Sequence, residues 1–386
     1  MYLLVSRSLF CLVQIASYRD PNCRRTIEYA LRQAASPAKV FFGIVEQRCG
    51  AGAHCKGGVM PDGSVREKPA DPECVKDFCS SAFGEAYCGG GGTDGRGGGQ
   101  VRLIELSERE AMGPMMARYL ASKLWRGENF FMQLDSHINF GPSWDDKLRA
   151  MVAATPNPPK AVISTYPIPC SMEPGSFAGA AESAGVRMCG SLFSAPGGEG
   201  RIVRLEGSSM YERLPPKTPR FTPFVAAGFY FAPAGFLRDV PFDPYLAWVF
   251  MGEEILLSAR LWTYGWDFYT PTHNVVGHHY FETGAPRFWE TLGRVYETPG
   301  MHNYLQGMVV ERIKQLIGYP ESQRLEPENL NVDLEHFGLG KVRPLADYMA
   351  MVGVDVAAKT TTTPSWCQSG KTPPLLVQKY GASANY

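Results

Sequence analysis

Asp135 and His137 stand two residues apart at the end of an apolar run, Phe130-Phe131-Met132-Gln133-Leu134. In extended backbone, residues i and i+2 point to one face. One strand end can therefore offer a carboxylate and an imidazole to a single ion. An oxygen with an imidazole suits Mn²⁺ or a similar octahedral cation, which can also hold a diphosphate. A second apolar run, Val275-Val276-Gly277, ends in His278-His279-Tyr280. Neighbouring strand residues face opposite ways, so one of these two histidines is the candidate third ligand and the other turns aside.

A further apolar run, Ser8-Leu9-Phe10-Cys11-Leu12-Val13-Gln14-Ile15-Ala16, stops at Ser17-Tyr18-Arg19-Asp20-Pro21. Ligands of open α/β sheets bind beyond the carboxyl ends of strands. Arg19 offers a planar donor fork to phosphate or carboxylate, and Asp20 an acceptor for a base or a ribose. Pairing between the two, or capping of the next helix, competes with that reading. Gly252-Glu253-Glu254 opens an apolar helical stretch. Adjacent helical residues do not share a face, so one carboxylate is expected to face the site while the other caps or hydrogen-bonds.

The elements that must position these residues follow from periodicity and turn signals. Strand 8–16, a helix near 24–35 and strand 40–45 make a βαβ opening to a parallel sheet. Residues 46–100 read as a Cys/Gly-rich insertion of loop character. Its glycine tracts form no phosphate loop, because no Lys-Ser/Thr follows at the required spacing, and they are expected to be a flexible linker. Strand 101–106 and a helix over about 108–126, carrying Arg118, come next. After the 130–134 run, Trp144-Asp145-Asp146 opens a helix to about 154, with acids in its first turn. Residues 161–166 and a stretch near 224–231 read as strands, and 252–264 as a helix. Residues 168–222 are Pro-, Gly- and Ser-rich and are expected to form a partly ordered loop. Helices near 286–293 and 302–317 complete a domain over 1–356, and 357–386 read as a loose Thr/Ser/Pro-rich tail.

Composition narrows the function classes. The chain has 386 residues, 45% hydrophobic and 20% charged, with a formal net charge of zero. Those proportions are globular, and no basic excess points to nucleic acid. No segment reaches the ~18 consecutive apolar residues of a membrane span. Met1 to Ala16 is apolar apart from Arg7 and a few polar residues, but it flows into the Ser-Tyr-Arg-Asp strand end and is read as structure. Cys49, Cys55, Cys74, Cys79 and Cys88 cluster without the tight pairs of zinc sites. His54-Cys55 is the one zinc candidate among them. Disulfides are expected if the chain is secreted, and free thiols if it is cytoplasmic.

The motifs resemble a known family. Ile15-Ala16-Ser17-Tyr18-Arg19-Asp20-Pro21, Gly113-Pro114 through Ala117-Arg118-Tyr119-Leu120, Gln133-Leu134-Asp135-Ser136-His137 and Trp144-Asp145 occur in its order. Ser164-Thr165-Tyr166-Pro167, Ala227-Gly228-Phe229, Phe242-Asp243-Pro244 and the run from Gly252-Glu253-Glu254-Ile255 to Trp266-Asp267 follow. Over about residues 8–356 the chain resembles the cytoplasmic peptidyl-hydroxyproline N-acetylglucosaminyltransferases. More distantly, Asp-Ser-His with a later Val-Gly-His is similar to the polypeptide N-acetylgalactosaminyltransferases, which favours His278 over His279.

The resemblance implies an α/β nucleotide-diphospho-sugar transferase (GT-A, Rossmann-like) fold with a mostly parallel central sheet. It implies UDP-N-acetylglucosamine as donor, Mn²⁺ or another divalent cation as cofactor, and a protein or peptide hydroxyl (hydroxyproline, Ser or Thr) as acceptor. Asp135, His137 and His278 would hold the metal. Ser17, Arg19, Asp20, Arg118 and Asp135 would surround the nucleotide. Glu253 or Glu254 would face an oxocarbenium-like transition state, with transfer retaining the anomeric configuration. A cytoplasmic location follows from the family, and the secretory pathway is the alternative.

Overall fold

The computed structural model describes residues 9–89, 99–180, 183–193, 202–207, 210–211, 216–280, 285–290, 301–322 and 332–383. Strand β1 (Cys11–Tyr18) is buried almost throughout, as a near-continuous apolar run must be when both faces of its sheet are covered. Helix α1 (Cys23–Gln33) buries Cys23, Thr26, Ile27, Ala30 and Leu31, a one-sided stripe at helical spacing. β2 (Val40–Arg48) lies parallel to β1, and β3 (Val101–Ser107) parallel to β2. α2 (Pro114–Ser122) leads to β4 (Phe130–Leu134), which is parallel to β1 on its other side.

α3 (Trp144–Ala153) precedes β5 (Ala161–Ser164), and β6 (Arg220–Phe221), β7 (Phe229–Pro233), α4 (Glu253–Thr263) and β8 (Asp267–Thr270) follow. Among the described residues these strands form one sheet in the order β6-β8-β5-β7-β4-β1-β2-β3. β7 runs antiparallel to both neighbours and separates the parallel block β4-β1-β2-β3 from the parallel pair β8-β5, which β6 extends antiparallel at the edge. A small second sheet sets Val276–His278 between Ile138–Phe140 and Ile168–Pro169. The expected α/β class and mostly parallel sheet hold. No described helix is long and apolar enough to cross a membrane.

Four expectations need correction. The helix expected over 108–126 is a 3₁₀ turn, Glu108–Glu110, and then α2; Gly113 at φ 89° and Pro114 in the first helical turn set its start. The 46–100 insertion is more than loop. It holds a hairpin (Cys55–Val59 with Val65–Lys68) and helices Cys74–Cys79 and Glu85–Cys88. Disulfides Cys23–Cys74, Cys49–Cys55 and Cys79–Cys88 tie it down, and Val75 and Phe78 join the main core. The zinc reading of His54-Cys55 falls, because the Cys55 sulfur is bonded to Cys49.

The expected loose tail is packed. Helices Ser365–Ser369 and Pro374–Tyr380 bury Trp366 and Leu376, Tyr380 meets the Trp262 ring edge-on, and Cys367 is bonded to Cys189. Scattered tryptophan and leucine in a polar segment carry little periodicity, so the sequence signal was weak. Residues 168–222 form short strand pairs, including Ser191–Phe193 with Val203–Leu205. Glycines 90–92, 97 and 98, part of the 168–222 stretch and the end of the helix read at 286–293 lie outside the described residues.

Candidate active site

β4 ends at Leu134, and Asp135 follows with its N–H donating to the Gly228 carbonyl at 3.2 Å. The chain turns at Ser136-His137 and enters Ile138–Phe140. That strand pairs antiparallel with Val276–His278, with His278 opposite Ile138. This register brings the two sequence-distant histidines together. Their rings meet edge to face, centroids 4.5 Å apart, and His278 Nε2 lies 3.0 Å from Asp135 Oδ2. One ligand atom from each of Asp135, His137 and His278 falls within 4.8 Å of the others. His279 turns its Nδ1 to the Cys170 carbonyl at 3.3 Å. Of the two neighbouring histidines, His278 is therefore the one that faces Asp135 and His137.

The donor set fits a divalent cation on its own terms. Asp20 contacts His137 at Nδ1. A carboxylate behind an imidazole fixes the tautomer and orientation that a metal ligand needs. Burial opposes ionisation of Asp135, yet His278, Arg118 and His137 hold its carboxyl well below the usual carboxylate range. One ionised oxygen and two imidazoles in a mostly buried corner suit Mn²⁺ or a similar ion.

Arg118 links the triad to the helix carboxylates. Its side chain is buried; Nη1 donates to Glu253 Oε2, and Nη2 lies 3.3 Å from Asp135 Oδ1. Glu253 and Glu254, at the start of α4, have different partners. Burial pushes the Glu253 carboxyl up against the pull of Arg118. Glu254 accepts from the Ala227 N–H at 2.9 Å and the Tyr166 hydroxyl at 2.8 Å, and burial pushes its carboxyl up to about 7.

Two cavities meet at this centre. One, of about 420 Å³, lies at the ends of β1 and α2 and is lined by Tyr18, Asp20, Gln47, Lys68 and Pro114 among others. The second, of about 270 Å³, is lined by Tyr166, Arg204, Gly228, Glu253 and Glu254. Arg118, Asp135, Phe250, His278 and Tyr280 border both.

Three residues read at the nucleotide have these surroundings. Ser17 is buried on the face of β1 opposite Ala16 and Tyr18 and lines neither cavity. Arg19 borders the larger cavity, but its fork is engaged by Asp71, at 2.6 and 3.2 Å, and by the Lys56 carbonyl at 2.7 Å. Asp20 lines the larger cavity, and its carboxylate accepts from Ser136 Oγ at 2.6 Å and contacts His137. Of the competing reading, Arg19 and Asp20 do not pair with each other, but Asp20 Oδ1 accepts from the Asn22 N–H at 2.7 Å, at the start of α1.

Residue-by-residue reading had given no part to Tyr166 and Gly228. A Cβ on Gly228 would stand 3.0 Å from Asp135 Oδ2, so any other residue would press on the carboxylate and push it aside by a few tenths of an ångström. Both lie in motifs that carried the family resemblance, Ser-Thr-Tyr-Pro and Ala-Gly-Phe. Lys68 and Asp71 had no local signal.

No curated protein matches the chain. Among solved structures, it is similar to GalNAc-T7 crystallised with UDP, GalNAc and Mn²⁺, at a TM-score of 0.50 and 14% identity. The match covers 89% of this chain and 56% of that one, so the chain spans little more than half its length. At that identity the likeness speaks for the fold. A family model described as glycosyltransferase (GlcNAc) matches residues 8–358. The chain therefore belongs to the glycosyltransferase (GlcNAc) family.

Proposed function

We propose that the protein transfers N-acetylglucosamine from UDP-N-acetylglucosamine to a protein hydroxyl, on hydroxyproline, Ser or Thr, with Mn²⁺ as cofactor. The observation that carries this is the Asp135–His137–His278 cluster, joined through Arg118 to Glu253 where two cavities meet. The family's printed description supports the sugar. The ion supplies charge neutralisation of the leaving diphosphate. Asp20 orients His137, and Arg118 places a fixed cation between Asp135 and Glu253. Glu254 holds the Ala227-Gly228 backbone against Asp135. Of the two glutamates, Glu253 is the one joined to the triad through Arg118, and it is the better candidate to face positive charge at the anomeric carbon. No covalent nucleophile is assigned; front-face attack by the acceptor hydroxyl, with retention, completes the reading.

The four disulfides favour the secretory alternative over the cytoplasm, because such bonds persist in oxidising compartments. The function is tested by measuring hydrolysis of a panel of UDP-sugars with Mn²⁺, with and without peptides bearing hydroxyproline, Ser or Thr. Preferential turnover of UDP-N-acetylglucosamine, raised by one of the peptides, is expected. Binding of UDP-sugar with no turnover under any combination would make the chain a sugar-nucleotide-binding protein instead.

A further inference from the structure

We propose that the disulfide-tied insertion positions the metal centre, acting through the buried Arg19–Asp71 pair and Asp20. The inference rests on the metal reading above. β1 ends at Tyr18, and Arg19 then adopts φ 52°, in the left-handed region that a non-glycine residue occupies at some cost. Its N–H donates to the Gln47 carbonyl at 2.8 Å. The next residue is Asp20, whose carboxylate holds both Ser136 and His137. The orientation of a ligand histidine therefore depends on how firmly one sharp corner of backbone is kept.

The insertion clamps that corner from both sides. Upstream of Asp20, the Arg19 fork meets both oxygens of Asp71, and its third contact is the Lys56 carbonyl. Asp71 exchanges two backbone-anchored bonds with Cys49: its carboxylate accepts the Cys49 N–H at 2.7 Å, and its own N–H donates to the Cys49 carbonyl at 2.9 Å. Cys49 is bonded to Cys55, the neighbour of Lys56, so the contacts close into a ring. Downstream, Cys23 opens α1 and is bonded to Cys74, three residues beyond Asp71. Asp20 lies between the two clamps. A bidentate guanidinium–carboxylate pair fixes geometry as well as charge, which a lysine cannot reproduce. An arginine so engaged at the cavity wall is suited to support rather than to ligand contact.

Removing one member alone would strand a buried charge, so the test replaces both. Mn²⁺ affinity of the full chain is measured by titration calorimetry for R19M/D71L, in the wild-type and in the His137→Ala background, with thermal unfolding followed in parallel. Supports behind metal ligands typically contribute about ten- to a hundredfold in affinity. R19M/D71L is expected to weaken Mn²⁺ by about tenfold or more, and to cause no further loss when His137 is already alanine. Arg19→Lys should fail to restore affinity. If R19M/D71L does not fold, C49S/C55S carries the same comparison, with a severalfold loss expected that again vanishes with His137→Ala. Wild-type affinity in a folded variant, or an equal loss in both backgrounds, overturns the positioning role while leaving the metal reading intact. Unchanged affinity in His137→Ala itself overturns the metal reading and this inference with it.

Discussion

The two walls of the site are held by different physics. The wall made by β4, β7 and α4 is ordered by packing: Phe131, Met132, Phe229, Phe231, Ile255 and Leu256 are all essentially buried, and Glu253 and Glu254 are fastened to it by Arg118, Tyr166 and backbone. The opposite wall, the 49–88 insertion, exposes its whole Val65–Lys68 strand and buries little apolar surface in its hairpin. At that hairpin, the Cys49–Cys55 cross-link and the buried Arg19–Asp71 pair take the place of a core, whereas the helices that follow it bury Val75 and Phe78. Small units that cannot bury enough surface need such staples. A centre built between a packed wall and a stapled wall should respond to packing changes on one side and to redox conditions on the other.

The strongest way to break this picture is at the shared triad. Asp135→Ala or His137→Ala should lower Mn²⁺-dependent UDP-sugar turnover by about a thousandfold or more, since a direct ligand contributes several kcal/mol of charge stabilisation. Steady-state turnover beside circular dichroism checks this; activity within threefold of wild type in a folded variant would sink the assignment.

On the packed wall, the two glutamates should separate. Glu253→Gln is expected to keep UDP binding but lower transfer by about a hundredfold or more, the low end for a placed carboxylate. Glu254→Gln should act mainly on pH dependence. Its folded pKa, about 7, lies above the ordinary 4.5. The stability it contributes is therefore full below about pH 4.5 and is lost as pH rises from there through about 7. Denaturant titrations across that window should show a flatter profile for Glu254→Gln. Equal transfer losses for both variants would contradict the division of roles.

Cross-links away from the site should behave as stability elements alone. Cys189→Ser with Cys367→Ser removes the bond that anchors the C-terminal helices and is expected to cost about 2–5 kcal/mol of stability. Donor hydrolysis below the lowered melting temperature should stay within about twofold. A selective loss of activity would give the C-terminal segment a part in the site. The smallest effect is expected at His279, which faces Cys170: His279→Ala should change Mn²⁺ affinity by less than about threefold, against a far larger loss for His278→Ala. The reverse order in a metal titration would mean that the Val276–His278 register is wrong.

Local chemistry was legible in the sequence, and partnership was not. The apolar runs ending in Asp135, His137, His278 and Arg19-Asp20 marked strand ends, because buried parallel strands carry continuous hydrophobic runs and alternation assigns faces. Gly252-Glu253-Glu254 marked a helix start for similar short-range reasons. Those signals marked candidate residues and their elements; the fold and the choice of His278 over His279 came from the family resemblance of the motifs taken in order. What each polar group meets depends on register and on chain returning from far away. Asp71 captures Arg19 across 52 residues, and His278 reaches Asp135 across 143. No local pattern encodes those separations. The cysteine pairing and the packed C-terminal segment belong to the same class: sulfur and tryptophan positions can be counted in a sequence, but which ones come within bonding distance is decided by the closed tertiary fold, where burial and loop geometry leave each group one partner.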